Sequence, residues 1–220
     1  SRQWVNTTPL SITGIQVPAA NKNFGNVCLG TVGSPVTLGF WSNKNGAFIL
    51  TGSKTGTKFL TTPVDFATLL NSTLYLRNAS GSRANFASYT AFASWLLSAK
   101  ATNMAYMLSA QLATMELNVA TGNVDGATKI YAPGAHSANA FGFTTVSALM
   151  NEANLSLESC SDPGTASFTT TCSVVGGGTL RTYMQALETA LDQGNNGNNF
   201  VEPSPSMCSF SYSVGDTCAP

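Results

Sequence analysis

The chain has 220 residues, 43% of them hydrophobic and only 9% charged, against roughly a quarter charged in ordinary soluble domains. That length suits one sizeable core, while a polar surface built from Asn, Ser, Thr and Gly suits an exported protein with charge-poor contacts and argues against a cytosolic enzyme. Net charge is zero. No cluster of Lys and Arg marks a nucleic-acid binder, and no apolar run approaches the 18 or so residues of a membrane span.

The chain opens on Ser1, which leads us to expect a mature exported protein whose leader has been removed. Trp4, Val5, Leu10, Ile12, Ile15 and Val17 punctuate a Thr/Pro/Gly-rich start without helical period, so extended segments are expected there. Thr62, Pro63 and Asp65 open a short helix to about residue 70. Residues 86–97 are apolar nearly all round, which predicts a central buried helix. The strongest pattern is Met104, Leu108, Leu112, Met115 and Val119, with Gly122 placed for a left-handed cap, predicting a helix over 103–120.

A fourth helix is expected over about 145–158, on Val146, Leu149, Met150, Ala153 and Leu157. A fifth follows Gly176–Gly178, capped by Thr179 and ended by Gly194. It places Leu180, Met184, Leu187 and Leu191 inward, and Arg181, Gln185, Glu188 and Asp192 in solvent. Residues 195–199 read as a turn, and Ser209–Val214 alternate like a strand. The expected fold is α+β in a single domain, 1–220. An extended arm covers 1–27, a five-helix core 28–208 and a C-terminal strand or tail 209–220, and the β-rich ends form one small sheet.

Charge is split along the chain. Through Ala110 eight cations face one acid, Asp65, and from Gln111 onward Lys129 and Arg181 face nine acids, giving +7 and −7. Either the halves neutralise each other on folding, or the subunit is bipolar and stacks head to tail, a heterologous contact that propagates.

The five cysteines, Cys28, Cys160, Cys172, Cys208 and Cys218, contain no C-x-x-C, and with one histidine they make no zinc pattern. Disulfides are expected instead. Cys160 and Cys172 flank a loop and form a local staple. Cys28 could join Cys208, leaving Cys218 buried or paired between chains, or Cys208 could join Cys218 and leave Cys28.

Chemistry-bearing motifs are scarce. His136 sits in a Pro/Gly/Ala/Ser loop with no nucleophile or carboxylate beside it in sequence, so a catalytic role is not expected. No G-x-S-x-G or P-loop is present. Gly176–Gly178 lack the Lys and hydroxyl of a phosphate cradle, and Asn123, Asp125 and Gly126 are only a fragment of a calcium loop. No catalytic residue, metal ligand or cofactor is expected.

The segment Gly39-Phe40-Trp41-Ser42-Asn43-Lys44-Asn45-Gly46 stands out. Phe40, Trp41, Asn43 and Asn45 could stack on and hydrogen-bond a surface glycan, or the rings could cap the core above a turn made by Asn43 and Asn45-Gly46. This segment, the stretch Met104–Asp125 with Ala and Gln before Leu and an Asn-containing end, and Leu180–Asn196 ending in Leu-Asp and then Asn/Gly recur in that order. Over about residues 28–208 they resemble an uncharacterised domain family of exported bacterial proteins with a Gly-aromatic-Trp motif that usually continues Lys-Asn-His. The resemblance implies export and surface attachment, and its cysteine positions imply a Cys28–Cys208 pair with Cys218 left over as a free or intermolecular thiol. This chain has Ser42 and Lys44 where the family has Lys and His.

The expected role is a non-enzymatic extracellular subunit of a bacterial filament or surface layer, a homopolymer held by strand-like terminal arms. The competing expectation is a glycan-binding surface module using Phe40, Trp41, Asn43 and Asn45.

Overall fold

The structure, a computed structural model, describes residues 3–6, 26–56, 58–60 and 65–203. Strand β1 (Gln3–Asn6) pairs antiparallel with β2 (Asn26–Gly30), Trp4 opposite Cys28. Helices α1 (Leu38–Trp41), α2 (Lys44–Thr51) and α3 (Phe66–Thr68) follow, the last continuing as a π-turn over Leu69–Thr73. Then come α4 (Tyr89–Ser98) and α5 (Met104–Ala120), the hairpin strands β3 (Lys129–Tyr131) and β4 (Phe143–Thr145), α6 (Val146–Ser159), α7 (Thr179–Asn195) and β5 (Phe200–Val201). The mixed helix-and-sheet class expected from the sequence is present. Among the described residues there are seven α-helices rather than five, because the Phe40–Trp41 region is helical.

The sheet runs β1-β2-β5-β3-β4 with every pairing antiparallel. β2 begins two residues inside the expected arm. The tail at Ser209–Val214 lies outside the described residues.

Helix starts follow capping chemistry. The side chains of Asp65, Ser88 and Thr145 accept from the backbone N–H of Thr68, Ala91 and Ala148, satisfying donors that an open helix end leaves unpaired. Gly122 adopts the left-handed φ of 74° just past α5, as its position predicted. Two expected helix signals moved. Gly178, at φ 128°, precedes α7 in place of Thr179. Gly194 does not stop that helix; it lies inside it, so close to Met115 and Ile130 that a Cβ would sit 2.7 Å and 2.9 Å from their side chains.

Apart from Cys28 and Leu29, the buried apolar residues described form one cluster. Its axis is α5, where even Ser109, Gln111, Thr114 and Asn118 are buried. The segment expected to be central instead makes α4 an amphipathic cover, with Phe92 and Leu96 buried and Leu97 66% exposed. Its all-round apolar pattern reflects an aromatic cluster of Phe86, Phe92, Trp95 and Tyr106 packed to one side.

Cys160, in left-handed backbone at the end of α6, is bonded to Cys172. Cys28 is also disulfide-bonded; the expected pairing with Cys208 and the fate of Cys218 fall outside the described residues. Beside the Cys160–Cys172 staple lies Arg77, wholly buried, its guanidinium spent on backbone carbonyls.

On α7 the acids are less solvated than their spacing suggested. Glu188 and Asp192 are half-buried, and burial first, then the charge of Asp192, raises the Glu188 carboxyl above its ordinary value. A raised native value means the folded state holds the proton more tightly, so stability falls as pH rises from the ordinary carboxylate range through that raised value. Glu188→Gln is therefore expected to gain about 0.5 kcal/mol over the wild type at pH 7, and nothing at pH 3, in urea unfolding at the two values.

Candidate functional site

The conspicuous aromatic segment is built into the core. Trp41 is wholly buried, meets Phe40 edge-on at 5.3 Å, and donates Nε1–H to Asn118 Oδ1 at 3.3 Å. Asn43 caps α2 by accepting from Asn45 N–H. Tyr89 donates its hydroxyl proton to the Trp41 and Asn43 carbonyls, and Gly46 is pressed so tightly under Trp41 that a Cβ would lie 2.7 Å from its Cα. Asn43 and Asn45 are exposed and Phe40 is half-buried. Trp41 therefore has no ring face open to a ligand.

Asn118 ties this segment to two helices. Its Oδ1 also accepts from Val36 N–H, and its Nδ2 donates to the Val36 carbonyl and to Asn195 Oδ1. Asn195 in turn donates to Gln111, and Gln111 to the Asp192 carboxylate. Neither the Asn pair nor its partner Trp announced this in sequence, because the contacts span 77 residues or more.

His136 does have an orienting carboxylate, Asp162, 2.6 Å from its Nε2. It comes from beyond α6, which is why neighbouring sequence did not reveal it. The β3–β4 loop is further pinned at its middle: His136 N–H and Ser137 N–H donate to the two oxygens of Glu152, and the Tyr183 hydroxyl donates to the first of them. Burial, then the Glu152 carboxylate, pushes the Tyr183 phenol well above its usual range. Together these bonds make the His136–Asp162 pair part of a clamp on the loop.

Pro133 of the same loop lines a cavity of about 670 Å³. One side is the face of α7 bearing Gln185, Ala186, Thr189 and Gln193; the other is Leu29, Tyr131 and Pro133, with Asn198 and Asn199 at the end. A second cavity of about 370 Å³ under the β3–β4 loop shares Tyr131 and Pro133. No protein family, curated protein or solved structure matches this chain.

None of the residues lining either cavity is charged. The side-chain amides of Gln185, Gln193 and Asn198 and the Tyr131 hydroxyl have no protein partner among the described residues. Asn199 is fixed by donating to the Tyr131 and Ala190 carbonyls, while its buried Oδ1 has none. In sequence the groove was half visible: Gln185 was placed outward, but nothing linked it to Tyr131, which belongs to a strand three residues long.

Proposed function

We propose that the chain is an extracellular structural subunit of a bacterial filament or surface layer, assembled as a homopolymer by strand addition at its sheet. The observation that carries this reading is the difference between the sheet's two outer strands. At β4 the Phe143 N–H and C=O are taken up by Asn139 of its own loop. At β1 no strand pairs with the outer edge among the described residues, and an unpaired edge is a template for another chain. The alternating segment Ser209–Val214 of a neighbouring copy is the natural donor. Donor and acceptor differ, so the contact is heterologous and continues from copy to copy.

Two further observations support it. Opposite net charges divide the chain. The disulfide Cys160–Cys172 suits an oxidising, extracellular setting. Light scattering and negative-stain microscopy at rising concentration test the proposal. The full chain is expected to form filaments or sheets, and a chain ending at Cys208 to stay monomeric; a full chain that remains monomeric overturns it.

A further inference from the structure

We infer that the groove between α7 and the sheet is a binding site for an uncharged oligosaccharide, separate from the assembly edge. Its volume, about 670 Å³, falls within the roughly 300–1,000 Å³ of ligand clefts and takes a ligand of a few sugar rings. The lining fits the chemistry of a neutral sugar. No charged group is present to replace the hydration an ionic ligand would lose. Primary amides offer a donor pair and an acceptor on one plane, which matches hydroxyls that both give and accept, and here three such amides are unpartnered. Between them the Tyr131 ring, Pro133 and Leu29 give an apolar floor for the C–H faces of sugar rings.

The floor is fixed before any ligand arrives. Tyr131 packs against Phe143 at 5.3 Å, and on its other edge stands Gly142, where a Cβ would come 2.8 Å from the ring. Pro133 belongs to the loop that Glu152 and the His136–Asp162 pair hold down, and Gly134 of that loop approaches the Ala186 methyl so closely that a Cβ would lie 3.0 Å away. A preformed wall spares a ligand the ordering cost.

An extended peptide fits less well. The strands that line the groove, β2 and β3, are interior to the sheet, and the Tyr131 N–H is bonded to the Asn199 carbonyl, so a strand entering here finds no ladder to join.

An array of neutral and acidic glycans, followed by calorimetric titration with cellohexaose, chitohexaose or mannohexaose according to the array, tests the inference. Binding of at least one neutral hexasaccharide is expected. Thr189→Trp, which fills the groove from an exposed helix position, should weaken it at least about tenfold, and the double change Gln185→Ala with Gln193→Ala several-fold, both with unchanged melting temperature. The inference is overturned by absence of neutral glycan binding, by a preference for acidic glycans, or by binding indifferent to Thr189→Trp. Loss of assembly in Thr189→Trp without glycan binding would overturn it too, assigning the groove to a neighbouring copy.

Discussion

Arg77→Met is expected to destabilise the protein by about 3–5 kcal/mol, the range for removing one partner from a buried charged network. Arg77 is 0% exposed. Its Nε donates to the Leu157 carbonyl at 2.9 Å, Nη2 to the Glu158 carbonyl at 3.0 Å, and Nη1 more weakly to the Gly81 and Thr170 carbonyls. Leu157 and Glu158 lie in the last turn of α6, where carbonyls lack helical partners and the helix dipole is negative, so one guanidinium satisfies both needs. It also lies over the Phe168 ring at 5.5 Å. Burial and the neighbouring Arg83 lower its proton affinity while Glu158 opposes them, yet an arginine stays charged at any pH the fold survives. Methionine fills the space and leaves these carbonyls bare. Arg77→Lys keeps the charge but not the fork, so it should recover part of the loss. Urea unfolding of the three proteins decides it; a loss under about 1 kcal/mol for Arg77→Met contradicts the assignment.

Asn118→Leu should cost on the order of 4 kcal/mol, from several buried polar groups left unpaired at about 1–3 kcal/mol each, partly offset by relaxation. Those groups are Val36 N–H and C=O, Trp41 Nε1–H and Asn195 Oδ1. Because Trp41 is held through this residue, the variant should also lose near-ultraviolet circular dichroism at temperatures where it is still folded. Unchanged unfolding and an unchanged tryptophan signal would show that Asn118 is not the tie between α1, α5 and α7.

The helices that were legible in the sequence are those with strong period or caps. α5, α6 and α7 lie within about two residues of expectation, since Met104–Val119 and Val146–Leu157 step by three and four and Thr145 and Gly122 punctuate their ends. What failed has physical causes. α1 is four residues long and stands on tertiary contacts of Trp41 and Tyr89, which leave no periodic trace. β3 and β4 are three residues each, too short for alternation to show. α4 was expected at the centre because aromatic residues surround it in sequence, yet they converge on one side. The His136–Asp162 and Tyr131–Gln193 neighbourhoods join segments separated by helices, so residue type alone could not bring them together.

The proposed groove site and the proposed assembly edge use different residues, Gln185, Gln193 and Tyr131 in one and Gln3–Asn6 in the other, so the two proposals fail separately. Assembly carries the main claim about what the protein is for. Hydrogen exchange followed by mass spectrometry on β1 tests it at the residues concerned, comparing dilute with concentrated full-length protein. The account predicts that amides of Gln3–Asn6 gain protection on concentration, and that the gain is absent from a chain ending at Cys208. Equal exchange of β1 at both concentrations would contradict it.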